Sequence, residues 1–325
     1  MPNYSFKKIF SLVFFCLVAN LSLIYLYNDE IYSSIFFEKK FDWYRIMSKE
    51  ILLKCGGYYC ESPLIPFIGN IFNLYRDNIL YNSFNVSLIF ILLNINIYFL
   101  NKCYNLLVSF ALILYLLLAI HFKQMFVWVN FPDIELILMS TLAFVLLENN
   151  YQNNKKFLAL IIILIPLLHF TLSIFVIAGA VLLMNIYNNN YNKSIFFINN
   201  FLIGAFILIL FVIFSTEQHA SYIDQNRITT LIYNFSSIIK RSGLFKVDLL
   251  FETIPVIVFL VLTISFFVRF EIFLLLTLML IFGLLLQLVA TDEVRIFRTF
   301  FIPISFYACL LLIHNEIFNS KFKRY

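Results

Sequence analysis

The sequence predicts an all-α, polytopic membrane protein of about ten transmembrane helices, with short amphipathic helices on its outer face, and three observations predict it. Of 325 residues, 62% are hydrophobic and only 13% charged, where a soluble domain carries about 25% charged residues. The mean hydropathy is +0.91. The apolar residues fall in runs of about 15 to 25, the helix length that crosses a hydrocarbon core roughly 30 Å thick. A transmembrane β-barrel would instead alternate apolar and polar positions over about 10 residues.

The runs lie at 9–27, 84–100, 105–121, 134–148, 157–187, 196–215, 253–270, 272–290 and 299–315. The first is longer than a signal-peptide core and no small-residue cleavage pattern follows it, so it reads as a retained anchor. The run 157–187 is too long for one span and is interrupted by Pro166, His169, Thr171 and Ser173. It is either one tilted helix or a hairpin of two short ones.

Basic residues decide between the two, because short basic loops stay on the inner face. With Lys7 and Lys8 inside, Lys102, Lys155, Lys156, Lys193, Arg269 and the tail bases Lys321, Lys323 and Arg324 all fall inside only if 157–187 is a hairpin. That gives ten spans with both termini inside. The longer polar segments, 28–83, 122–133, 216–251 and a short one at 291–298, then lie outside. In the first, Trp43, Met47 and Ile51 recur every four residues among Arg45, Lys49 and Lys54, the pattern of an interfacial amphipathic helix or of simple packing. A second such helix is expected between Ile228 and Ile239. No repeat or low-complexity tract divides the chain, so 1–325 is a single domain.

Candidate chemistry sits on the outer face, where ionisable residues border apolar spans. In the segment from Thr291 to Arg298, a helix would put Asp292, Arg295 and Arg298 on one face at three-residue spacing. Two guanidiniums so placed suit a phosphate or diphosphate; alternatively they pair with Asp292 and reach lipid headgroups. Asp29, Glu30 and Asp42 offer carboxylates that are either solvated or able to act as a general base or to share a divalent cation. His169 sits at the proposed hairpin turn, as a proton carrier or as a histidine bonded to a neighbouring carbonyl. His121 and Lys123 add a basic edge. The segment 216–251 adds Glu217, His219, Asp224, Arg227, Lys240, Arg241 and Lys246, which with the arginines would attract anions.

Cys55 and Cys60, in Cys-Gly-Gly-Tyr-Tyr-Cys, are either bridged or two separate thiols; two further zinc ligands are not in evidence nearby. Walker A, Gly-x-Gly-x-x-Gly, His-Glu-x-x-His and Gly-x-Ser-x-Gly motifs are absent, which argues against ATP-driven pumping and soluble-type hydrolysis. The basic residues flank spans instead of forming a soluble patch, so nucleic acid is not an expected partner.

Three short motifs carry a resemblance: Phe41-Asp42-Trp43-Tyr44 in the first outer segment, Leu168-His169-Phe170-Thr171 in the mid-chain hairpin, and Asp292-Glu293-Val294-Arg295-Ile296-Phe297 before the last span. In this arrangement the chain resembles the Wzy-type O-antigen polymerases and the related EpsG-like family. The resemblance implies a GT-C-like membrane glycosyltransferase in the bacterial inner membrane. It would polymerise undecaprenyl-diphosphate-linked oligosaccharide repeat units of an O-antigen, capsule or exopolysaccharide at the periplasmic face. It further implies that Arg295, with Arg241 or Arg298, holds the diphosphate, that Asp42 or His169 assists the acceptor hydroxyl, and that Asp292 and Arg45 complete the site. No cofactor or metal is expected; membrane lipids and a chain-length regulator are the further partners. This chain is shorter than many such polymerases. The rival reading is a polysaccharide-related transporter or flippase, which would show paired broken helices and mid-membrane charges; a structural or immunity-type protein would need no clustered Arg and Asp.

Overall fold

The computed structural model describes residues 6–36, 43–49, 62–120, 126, 132–149, 151–188, 191–215, 256–287 and 293–314. Among these residues every regular element is a helix. In chain order they are α1 (Phe6–Phe36), α2 (Trp43–Lys49), α3 (Leu64–Ile71), a short 3-10 turn (Leu74–Arg76), α4 (Asn78–Cys103), α5 (Leu106–Ala119), α6 (Asp133–Asn149), α7 (Tyr151–Leu168), α8 (Phe170–Asn188), α9 (Tyr191–Ser215), α10 (Val256–Val268), α11 (Phe270–Gln287) and α12 (Glu293–His314).

Four segments are long and apolar enough to cross a membrane: Lys8–Phe36, Asn78–Cys103, Phe170–Tyr187 and Tyr191–Phe214. Leu106–Ala119, Phe270–Ile281 and Arg298–Ile313 are shorter apolar helices. The chain is thus a helical membrane protein. Its outer helices turn apolar faces outward: on α1, Ile9, Phe10, Val13, Phe14, Leu17 and Leu21 are exposed, while Phe15, Ala19 and Leu23 are buried. That stripe suits contact with lipid, which needs no polar covering.

Helix α6 is the opposite case. Every residue from Asp133 to Leu147 is buried, so α6 is the centre of the bundle, packed against α4, α7 and α12. Lipid tails are as apolar as leucine, so close packing and hydrogen bonds hold such helices together. Asparagines supply many of the bonds. Asn20 of α1 and Asn94 of α4 exchange amide bonds at 2.9 and 3.3 Å. Asn96 of α4 donates to the Leu138 carbonyl of α6 at 2.9 Å and accepts from Thr141 at 3.1 Å. Asn101 donates to the Lys8 carbonyl at 3.0 Å. Small residues give the close approaches. A Cβ on Gly204 of α9 would collide with the Ile163 carbonyl oxygen and lie 2.6 Å from Pro166 of α7.

The long run 157–187 is two helices that fold back on each other at His169. Tyr151 of α7 meets Phe196 of α9 edge to face at 5.2 Å, and Asn185 of α8 accepts from Ser194 of α9 at 3.1 Å. The far ends of α7 and α8 therefore stand side by side, where a straight helix would hold Tyr151 and Asn185 about 50 Å apart. A matching fold-back occurs at Arg269 between α10 and α11, where the Phe266 and Phe273 rings lie 5.1 Å apart and the Arg269 guanidinium covers the Tyr187 ring at 5.4 Å.

These contacts give the bundle two unlike ends. Lys8, Lys102, Lys155, Lys193 and Arg269 collect at one, tied by the Lys8–Asn101, Lys155–Phe196 and Arg269–Tyr187 contacts. There Glu148 of α6 joins three helices: Lys193 Nζ of α9 pairs with Oε2 at 3.1 Å, and the Tyr307 hydroxyl of α12 donates to Oε1 at 2.8 Å. Asn149 donates to the hydroxyl of Tyr104, whose pKa burial pushes well up, so it stays a neutral phenol. The other end mixes Arg45, Lys49, Arg76 and Arg298 with Asp29, Glu30, Asp77, Asp133 and Glu135.

At that mixed end α2 forms as expected, but its face is packed inward: Tyr44, Met47 and Ser48 are buried and Ile46 and Lys49 are exposed. Asn70 of α3 donates to the Ser48 carbonyl at 2.6 Å, and Arg45 Nη1 donates to the Tyr75 carbonyl at 2.9 Å. Asn73 adopts the left-handed conformation (φ 55°) that closes this turn, one that asparagine tolerates better than most residues. Ile51, the helix expected over 228–239, and Cys55 and Cys60 lie outside the described residues; Cys16, Cys103 and Cys309 are free thiols.

Candidate functional site

Three parallel helices, α6, α8 and α12, carry buried ionisable groups to the mixed end. Phe144 of α6 stacks on Tyr307 of α12 at 4.6 Å, and Phe175 of α8 meets Phe300 of α12 at 5.7 Å. From these anchors the register follows. Asp133 lies eleven residues, three turns, from Phe144 and so shares its face of α6, the face turned to α12. Arg298 is two residues from Phe300 on α12, and His169 is six residues from Phe175, at the head of α8. All three side chains are buried: Asp133 and His169 at 1% exposure, Arg298 at 3%. Thr299 and Ser173, also buried, lie at the same level.

The sequence causes this placement in a direct way. Pro166 in the last turn of α7 has no N–H to bond the Ile162 carbonyl, which weakens the helix near its end, and the chain reverses at His169, whose carbonyl accepts from Ser173 N–H at 3.0 Å to start α8. Helix α12 begins at Glu293, so Arg295 and Arg298 are on one helix at the three-residue spacing read from the sequence. The Arg295 side chain, like all of Asp42, Arg241 and Asp292, lies outside the described residues. Arg45 is described and is tied to the Tyr75 carbonyl at the mixed end. Asp29 is exposed and Glu30 half-buried on α1, beyond a kink at Tyr27 (φ −128°, ψ 26°) where Phe126 packs on the Tyr27 ring at 6.4 Å.

Sequence reasoning passed over Asp133 and Glu135. Both carboxylates open an apolar run, and both are buried. The signal was there: acids within or at the head of a membrane-spanning segment are expensive and mark function by default. Chemically, an arginine, a histidine and carboxylates buried at the same end of three neighbouring helices can hold an anion and move a proton, since charge interactions strengthen where water is excluded; Arg298 itself is nine residues, two and a half turns, from Tyr307 and so leaves α12 on the face turned away from α6. Among the described residues no group of three or more His, Cys, Asp or Glu could hold a metal ion. Compared with family models, with curated proteins and with solved structures, the chain matches none.

Proposed function

We propose that the protein is a polymerase of a bacterial surface polysaccharide. It joins undecaprenyl-diphosphate-linked repeat units at the periplasmic face of the inner membrane. The ten helices other than α2 and α3 are the spans, the lysine end is cytoplasmic and carries both termini, and the mixed end is periplasmic. The observation that carries the reading is the burial of Arg298 on α12, His169 at the head of α8 and Asp133 on α6, all at the end away from the lysines.

In this reading the acceptor hydroxyl of one lipid-linked glycan attacks the anomeric carbon of another. The bond to the diphosphate breaks, and negative charge grows on the departing phosphate oxygen. Arg295, Arg298 and Arg241 meet that charge with fixed donors, which need no reorganisation as the charge develops. His169, Asp42 and Asp292 are the candidates for proton transfer, and Arg45 contributes to holding the glycan. The lysine distribution supports the orientation, because bases are retained on the cytoplasmic side.

The test is complementation of a strain lacking this gene with Arg295→Ala and Arg241→Ala, with the membrane level of each variant checked by blot. Loss of long glycan chains at normal protein level is the expected result. Wild-type chain length with both variants would sink the polymerase reading and put a lipid-glycan transporter in its place.

A further inference from the structure

The mixed end holds a second set of polar groups on a different seam. On α4, Asn82, Asn85 and Asn96 share one face, since eleven residues bring Asn85 and Asn96 into line and three more add Asn82. Asn96 fixes what that face meets: its amide bonds Leu138 and Thr141 of α6. Glu135 is the surface neighbour of Leu138 three residues nearer the mixed end. These side chains are at most 2% exposed. Yet among the described residues Asn85 Nδ2 and Oδ1, Asn82 Oδ1 and Glu135 Oε2 have no hydrogen-bond partner.

Buried polar atoms are nearly always bonded. One orphan atom is an ordinary exception, but here four lie toward one end, Glu135 on α6 and Asn85 and Asn82 on the α4 face where it runs on past the head of α6, while Asn96, farther along the same face, is fully bonded. The orphans are confined to the mixed-end half. They are one donor and three acceptors, a set that hydroxyl groups, each able to donate and to accept, can satisfy. Eight residues of helix, about 12 Å, separate Glu135 from Asn85 along the axis, a span that an extended ligand with several hydroxyls would bridge.

We infer that the α4–α6 seam at the mixed end binds the acceptor glycan, with Asn82 and Asn85 holding sugar hydroxyls and Glu135 accepting the proton of the attacking one. The inference rests on the polymerase reading. The acceptor hydroxyl gives its proton to Glu135 Oε2 while its oxygen bonds the anomeric carbon; the electron pair of the broken bond leaves on the diphosphate; the proton then passes to water. Gln at position 135 keeps the size and the hydrogen-bonding capacity but is no base. A merely structural Glu135 would tolerate Gln, because a neutral amide is easier to bury than a carboxylate.

Membranes bearing wild type, Glu135→Gln, Glu135→Asp or Asn85→Ala are supplied with the lipid-linked repeat unit of the source strain, and elongation is measured against pH. Glu135→Gln should slow elongation by about 10² to 10⁴, the range of general-base catalysis, and remove the fall in rate at low pH that wild type shows. Glu135→Asp should keep that fall at a lower rate, and Asn85→Ala should raise the acceptor KM with little change in kcat. Wild-type elongation by Glu135→Gln while Arg295→Ala is inactive overturns the inference and leaves the polymerase standing; wild-type elongation by both overturns the polymerase itself. If Glu135→Gln fails to reach the membrane, Glu135→Asp decides, and a wild-type rate and pH profile there overturns the inference. Independently, in a chain without its five native cysteines, a membrane-impermeant maleimide should label Asn85→Cys from the periplasm but not Leu93→Cys. Absence of labelling at position 85 contradicts an open seam.

Discussion

Removal of Lys193 from the lysine end should destabilise the bundle more than removal of its acidic partner, and the reason is which charge would be left behind. Glu148 is the deeper group, its side chain 7% exposed against 16% for Lys193, and the pair is 3.1 Å apart. At that distance the gross attraction is about 5 kcal/mol for an effective dielectric near 20, and stranding one member of a buried pair costs about 3–5 kcal/mol. Lys193→Met leaves the Glu148 carboxylate with only the Tyr307 hydroxyl at 2.8 Å, and about 3 kcal/mol should be lost. Glu148→Gln leaves an ammonium on a flexible stem that can reach the interface, so about 2 kcal/mol is expected. Tyr307→Phe removes one bond to a charged acceptor, for about 1.5–3 kcal/mol. The double variant Glu148→Gln/Lys193→Met strands nothing and should fall short of the summed single losses by at least about 2 kcal/mol. Reversible unfolding in mixed micelles, run as a double-mutant cycle, measures this. Additivity within about 0.5 kcal/mol would refute the claim that these groups hold α6, α9 and α12 together.

Other consequences follow from the packing. Gly204→Ala should destabilise by about 1–3 kcal/mol, because the new methyl meets the rigid Ile163 carbonyl; Gly179→Ala should cost less, since its nearest neighbour is the end of Met279, 2.5 Å away, and that side chain can move. The same unfolding assay compares them. Asn96→Leu should cost about 0.6–1.7 kcal/mol, the span seen for interhelical polar contacts in lipid, and loosen α4 from α6, read as faster exchange of the Leu138 region. For orientation, a cysteine at exposed Phe72, beside the α3 turn, should react with an impermeant maleimide on intact spheroplasts, and one at exposed Tyr191 should react only after lysis. The reverse pattern would invert the protein in the membrane.

Much of the fold was legible because lipid imposes a simple rule: apolar runs of the right length become helices. The reversal at His169 followed from Pro166 and from the placement of lysines, and the folded chain reverses there. Element ends were less legible. Run 9–27 ends where the helix kinks, at Tyr27, but the chain turns helical again from there to Phe36, and run 84–100 became a helix that begins at Asn78, because polar residues such as Asn28 and Asn82 remain helical where neighbours or caps support them. The Asp77 side chain, for example, accepts from Ile79 N–H at 2.8 Å. The amphipathic period at Trp43 gave the helix but not its partner: the buried face meets Tyr81 and α3, contacts set by distant sequence. The Glu148 pairings span 45 and 159 residues, and no local pattern encodes them. Asp133 and Glu135 were hidden by their own apolar context, as they read as the edge of a span when viewed one segment at a time.

The measurement that bears most directly on the central claim is the fate of lipid-linked glycan when the gene is deleted. Single repeat units should accumulate on undecaprenyl diphosphate at the periplasmic side, open to an added glycosidase in spheroplasts, with no long chains at the cell surface. Repeat units that stay inaccessible until the membrane is broken would contradict a polymerase and identify transport across the membrane as the missing step.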